Sequence, residues 1–261
     1  MNRWKTDGWK GIAIALVVPL GATSCATPDT PARSPDSSAL QWVRGSVEAA
    51  ALYVQTYRLA SDELAKQRGS KETSCAASRS EPWGVVLDVD ETVLDNSAWR
   101  VELAQRGQTY SEERWNAWAR TQRATALPGA EQFIRGVKEL CGHVVLVTSR
   151  SEGICDATRS NLQAQGLVHD AVICARGGKS KQQSFTEIGT GTAARGLAAL
   201  EIVAFVGDNI QDFPEWTQTS CKSLAELERD FGKKYFLLPN PIYGSWERVV
   251  RARPSACTLS R

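Results

Sequence analysis

Trp83–Leu87 reads WGVVL, and the ten residues after it, Asp88 to Ser97, read DVDETVLDNS. An apolar run this short, with paired valines, fits a strand buried on both faces. Four acidic side chains, Asp88, Asp90, Glu91 and Asp95, arrive directly behind it. A carboxylate at the end of a buried strand costs free energy unless a cation or a hydrogen-bond donor meets it. The stretch therefore predicts a central strand and a partner for its acids.

Four further apolar runs follow the same pattern: GHVVLVTS, HDAVICA, IVAFVGD and KYFLLPN. Helical stretches such as GAEQFIRGVKEL and SEGICDATRSNLQAQG separate them. Short strands alternating with helices predict an α/β fold, a Rossmann-like, largely parallel sheet with helices on both faces. Ahead of it, Val43, Val47, Ala50, Val54 and Tyr57 recur at helical spacing and predict one face of a long amphipathic helix. The segment between the first two strands exceeds a simple crossover and predicts a small cap around residues 96–128.

Ligands bind such sheets outside the carboxyl ends of the strands. Asp88 and Asp90, Thr148 to Arg150, and GDNIQD with Asp208 and Asp212 all fall there. Several carboxylates meeting at one point repel unless a hard divalent cation sits among them. Oxygen donors without a His/Cys cluster favour magnesium over zinc. Magnesium with a nearby lysine and hydroxyl is equipment for phosphoryl transfer.

The ends of the chain point to its compartment. MNRWKTDGWK followed by GIAIALVVPLGA reads as a secretory signal peptide over residues 1–24, because the apolar run falls short of a spanning helix. ATSC resembles a bacterial lipobox, which makes Cys25 the lipidated residue; simple cleavage and an uncleaved anchor are the alternatives. Residues 25–38, rich in Pro, Ser and Asp, read as a tether, and 39–261 as one domain. This predicts a bacterial envelope protein held to a membrane by lipid. The net charge is +2 with no basic run, so composition gives nucleic-acid polymers no support as partners. The six cysteines beyond Cys25 suit an oxidising compartment.

The longer stretch DVDETVLDNS resembles the class C acid phosphatases, bacterial outer-membrane lipoproteins of the haloacid dehalogenase (HAD) superfamily. WNAWARTQRATALPGAEQF, VLVTSR, KSKQQSFTEI, VGDNIQDF and LPNPIYGSWE follow in the order that family shows. The resemblance implies a HAD-like fold and hydrolysis of small phosphomonoesters with Mg2+. It implies Asp88 as nucleophile, giving an aspartyl-phosphate, and Asp90 as the acid that protonates the leaving alcohol and later activates water. It implies that magnesium is held by the side chains of Asp88 and Asp208, by the backbone carbonyl of Asp90, and by Asp212 through water. Thr148 would bind a phosphoryl oxygen, with Ser149 and Arg150 flanking it. The family pattern Ser-Lys, with arginine three residues on, selects Lys181 as the phosphate-binding cation and Lys179 as the reserve; Ser184 stands in the arginine's place.

Tyr243 and Trp246, in the family-like NPIYGSWE, are candidates to stack on a substrate such as a nucleoside monophosphate. Trp99, Tyr110, Trp115 and Trp118 serve stacking or core packing; the spacing of Trp115 and Trp118 suits one buried helical face. GGKS is not a P-loop, since Ile173 stands where glycine is required, and GTGTAARG lacks dinucleotide spacing after a strand. His143 and His169 each open a strand, away from the site. On this topology Cys155 and Cys174 share the carboxyl-end face and form the favoured disulfide. Cys75 and Cys141 share the opposite end, which leaves Cys221 with Cys257. A phosphotransferase would use the same residues, and a non-enzymatic binding lipoprotein would be the alternative had the acids been lost.

Overall fold

The computed structural model describes residues 35–69, 75, 80–220 and 222–248. The signal sequence, Cys25, most of the tether and the proposed Cys221–Cys257 pair lie outside these residues. Five strands form a parallel sheet: β1 (Trp83–Leu87), β4 (His143–Ser151), β5 (Ala171–Ala175), β6 (Glu201–Gly207) and β7 (Tyr235–Leu237), in the order β5-β4-β1-β6-β7. They are the five runs expected from sequence, with the acid-bearing strand in the middle.

Both faces of the sheet are covered, which is why its strands are apolar without alternation. On one side Val85, Leu87, Val144 and Leu146 pack with Phe133 and Ile134 of α5 (Ala130–Glu139) and Leu162 of α6 (Cys155–Ala164). On the other, Val86, Val145 and Phe205 pack with Phe185 and Ile188 of α7 (Lys181–Thr190) and with Phe213 and Trp216. A short α8 (Leu224–Asp230) precedes β7.

The N-terminal helix differs from expectation in two ways. It begins at Pro35, inside the stretch read as tether, and it is two helices, α1 (Pro35–Gly45) and α2 (Val47–Arg68). Ser46 breaks it by capping α2, its hydroxyl accepting from the Ala49 N–H at 3.0 Å. The buried face of α2 is Ala49, Tyr53, Tyr57, Ala60 and Leu64; of the expected stripe, Val47 is 81% and Val54 41% exposed. Two tyrosine hydroxyls decide this register. Tyr57 donates to the Thr92 carbonyl at 2.8 Å and Tyr53 to the Pro239 carbonyl at 3.2 Å.

The insertion after β1 is rooted in a two-stranded antiparallel ribbon, β2 (Leu94–Asp95) with β3 (Thr125–Ala126). Between them lie α3 (Ser97–Gln105) and α4 (Glu112–Ala119). Trp99 and Trp115 meet edge to face at 4.9 Å, and Trp115 stacks on Trp118 at 5.7 Å. Two disulfides, Cys155–Cys174 and Cys75–Cys141, join the pairs that topology suggested. Among the described residues no helix is long and apolar enough to cross a membrane.

Candidate active site

Asp88 continues β1 beyond its last residue, its N–H donating to the Val206 carbonyl at 3.0 Å. The chain then turns sharply. Glu91 takes a left-handed conformation, φ 53°, uncommon for a side chain other than glycine, and its carboxylate accepts the Asn96 N–H at 2.9 Å. This closes the DVDETVLDN loop on itself. Glu91 is buried, and burial first, then Asp90 and Asp208, push its carboxyl well above the ordinary value. Sequence reading gave it no role.

Opposite, β6 ends at Gly207, and Asp208 and Asp212 follow. A Cβ on Gly207 would overlap the Asp212 side chain, so the VGDNIQD turn needs glycine there. Asp208 accepts from Asn240 Nδ2 at 2.7 Å and from Thr92 Oγ1 at 3.2 Å. Asn240 also accepts the Ile242 N–H at 3.0 Å, so it ties this acid to the Tyr243 loop. One carboxylate oxygen from each of Asp88, Asp208 and Asp212 lies within 4.8 Å of the others.

Lys181 reaches into this cluster from the first position of α7, which Ser180 and Gln183 cap reciprocally. Its ammonium donates to Asp88 Oδ1 and, at 2.6 Å, to Asp212 Oδ1. Burial pulls the lysine pKa down, but Asp212 and Asp88 outweigh it and hold the group charged. Lys179 instead pairs with Glu187 of the same helix, and Ser184 is buried beneath the cavity. Burial pushes the Asp88 carboxyl up to about 7, against the pull of Lys181 and helped by Asp212 and Asp90. Burial and the neighbouring Asp212 and Asp88 likewise raise Asp208 well above its usual range. Dry carboxylates in mutual repulsion, all oxygen donors, fit a hard divalent cation.

Thr148 and Ser149 line the same cavity at the end of β4. Two neighbours sit differently from expectation. The Arg150 side chain is fully enclosed and bonded to Asp90, Asn96 and Thr158 rather than open beside Ser149. It falls on the inward side of β4, as does Thr148 two residues earlier. Trp246 is not in the cavity wall, because its indole packs against the Gly244 backbone. Tyr243 is in the wall, with Trp99, Tyr110, Trp115 and Trp216. Arg100, absent from the sequence reading, lies over Tyr243 at 4.2 Å and over Trp99 at 5.1 Å. The cavity holds about 920 Å³, room for a phosphate and a flat group beyond it. His143 and His169 lie at the amino ends of β4 and β5, away from these groups.

The family described as HAD superfamily, subfamily IIIB (acid phosphatase), matches residues 17–246. The chain belongs to that family. Among solved structures, this phosphatase is similar to the class C acid phosphatase from Bacillus anthracis, at 27% identity and a TM-score of 0.67. The match covers 81% of this chain and 86% of that one. The same enzyme with tungstate bound matches equally, at 27% and 0.67. The phosphatase is thus a phosphomonoester hydrolase with a HAD-like fold. Family membership and the intact acid set exclude the non-enzymatic alternative. Phosphatases of this superfamily use divalent metal ions, and the Asp88, Asp208 and Asp212 cluster supplies suitable donors.

Proposed function

We propose that the phosphatase is magnesium-dependent and cleaves small phosphomonoesters, nucleoside monophosphates among them, through an aspartyl-phosphate on Asp88. The observation that carries this reading is Lys181 donating to Asp88 and Asp212 within a three-carboxylate cluster, where one ammonium leaves the acids in excess. Asp88 and Asp208 would hold the cation through their side chains, Asp90 through its carbonyl, and Asp212 through water. Bound there, magnesium would neutralise the carboxylates and the phosphoryl oxygens together, so that anion can approach anion.

Asp88 attacks phosphorus while Thr148, Ser149 and Lys181 hold the phosphoryl oxygens. Asp90 gives its proton to the departing alcohol, then takes one from the water that cleaves the aspartyl-phosphate. Tungstate binding by the Bacillus anthracis enzyme, an oxyanion of phosphate-like shape, supports an oxyanion site in its relative. Tyr243 with Trp99 and Trp115 of the cap supports a flat leaving group stacking in the wider cavity. The lipobox-like ATSC ending at Cys25, with two disulfides in the domain, supports an envelope location with the chain tethered by lipid.

The test is phosphate release from nucleoside monophosphates and an aryl phosphate, with magnesium or with chelator, beside Asp88→Asn. Release should require the metal and fall at least about a thousandfold in the variant. Full activity in chelator would overturn the metal assignment, and an active Asp88→Asn would overturn the nucleophile.

A further inference from the structure

We propose that Arg150 is a positioning residue for Asp90, fixing one carboxylate oxygen so that the other is presented to the leaving group. The inference rests on the reading of Asp90 as general acid given above.

Three donors converge on a single oxygen. Asp90 Oδ1 accepts from Arg150 Nε at 2.9 Å, from Arg150 Nη2 at 2.8 Å and from Asn96 Nδ2 at 2.8 Å. Among the described residues no hydrogen bond reaches Oδ2. The Arg150 side chain is 0% exposed, whereas that of Asp90 is 19% exposed and borders the cavity. With three donors on Oδ1, Oδ2 is the oxygen of Asp90 left available to a leaving group in the cavity. The clamp therefore selects which oxygen does the work.

Arg150 is itself fixed on its other sides. Nη2 donates to Asn96 Oδ1 at 3.1 Å, so arginine, asparagine and aspartate form a closed ring that sets the Asn96 amide in one orientation. Nη1 donates to Thr158 Oγ1 at 3.2 Å, and that hydroxyl donates onward to the Ile154 carbonyl at 2.9 Å. The ring of Trp115 lies 5.3 Å from the guanidinium and closes it from the cap. A planar fork held at this many points orients a carboxylate as a single ammonium cannot.

In the first step the Asp88 oxygen bonds to phosphorus, the bond from phosphorus to the ester oxygen breaks, and the Oδ2 proton moves to that oxygen. An alkyl ester needs the proton, because an alkoxide leaves poorly. A nitrophenyl ester does not, because nitrophenolate leaves as the anion. Up to departure of the alcohol, which is what kcat/KM reads, a misdirected acid should therefore damage the two substrates unequally, whereas a loosened fold should damage them alike.

The experiment measures kcat and KM of the metal-loaded enzyme for glycerol phosphate and for nitrophenyl phosphate in Arg150→Met, Arg150→Lys and Asp90→Asn. In Arg150→Met, kcat/KM on glycerol phosphate should fall about a hundredfold or more and kcat/KM on nitrophenyl phosphate less than about tenfold, because kcat/KM leaves out the water step that both esters share. Arg150→Lys should lie between it and the native enzyme on the alkyl ester alone, and it carries the test if the methionine variant does not fold. Equal losses of kcat/KM on both esters would overturn the inference. Asp90→Asn separates the two readings. If it shows the leaving-group dependence and the Arg150 variants do not, only the positioning role falls; if it shows none, Asp90 is not the acid.

Discussion

Lys179 and Lys181 stand two residues apart in GGKSKQQSF, and their surroundings assign them different work. Lys181 is the first residue of a capped helix and bonds two buried carboxylates; Lys179 pairs with a partly exposed glutamate on the same helix. Lys181→Met should therefore lower kcat/KM by about a hundredfold or more, as loss of a charge aimed at a phosphoryl group does. Lys179→Met should stay within about threefold, since its ammonium, at the cavity wall, is taken up by Glu187 rather than by the three acids. A comparison of the two variants on one ester decides it, and equal losses would contradict the assignment. That Lys181 rather than Lys179 meets the acids was legible because SK and FTEI align with a known pattern. Arg150 was not legible in its role: its sequence neighbours Thr148 and Ser149 suggest phosphate, while its partner Asp90 is 60 residues distant. Trp246 misled for a related reason, since a motif reports that a residue is required without saying which way its side chain faces.

At the scale of elements, the five strands were readable because buried parallel strands are short, apolar and bounded by turns. The register of α2 was legible only in part: hydrophobic spacing picks out Tyr57 correctly but also favours Val47 and Val54, while the structure turns Tyr53 inward beside Tyr57 to meet distant carbonyls. Those carbonyls belong to the site. Thr92 lies in the acidic loop and donates to Asp208, and Pro239 precedes Asn240, the other donor to Asp208. The N-terminal helix thus buttresses both walls of the catalytic cleft. Tyr57→Phe leaves the buried Thr92 carbonyl without this donor and should cost about 1–3 kcal/mol of stability. Tyr53→Phe, which breaks a longer and partly exposed bond, should cost less. Denaturant midpoints at unchanged m-value test the ranking. A neutral Tyr57→Phe would mean that α2 is held by apolar packing alone.

For the whole molecule, the acids that make the site useful also work against the fold. Asp88 titrates near 7 instead of 3.8, and Asp208 and Glu91 lie well above their ordinary values, with burial the largest cause in each. Below about pH 4 both folded and unfolded chains hold these protons, and the fold bears no penalty. Between about pH 4 and 7 the folded chain still holds the Asp88 proton that the unfolded chain has released, and Asp208 and Glu91 act in the same direction, so stability falls as pH rises through that window. A divalent cation held there would reverse part of this, because it would bind the ionised carboxylates of the folded state only. Thermal unfolding of the metal-free enzyme should therefore give a lower Tm at pH near 7.5 than near 5, and added magnesium should raise Tm more at the higher pH. Glu91 is not among the proposed ligands, so its share of the slope should persist with metal present. An Asp208→Asn variant should lose most of the magnesium-induced shift while becoming more stable without metal at neutral pH. If magnesium raised its Tm as much as that of the native enzyme, the cation would be held elsewhere, and the carboxylates at the ends of β1 and β6 would have to be stabilised by Lys181, Asn240 and Thr92 without it.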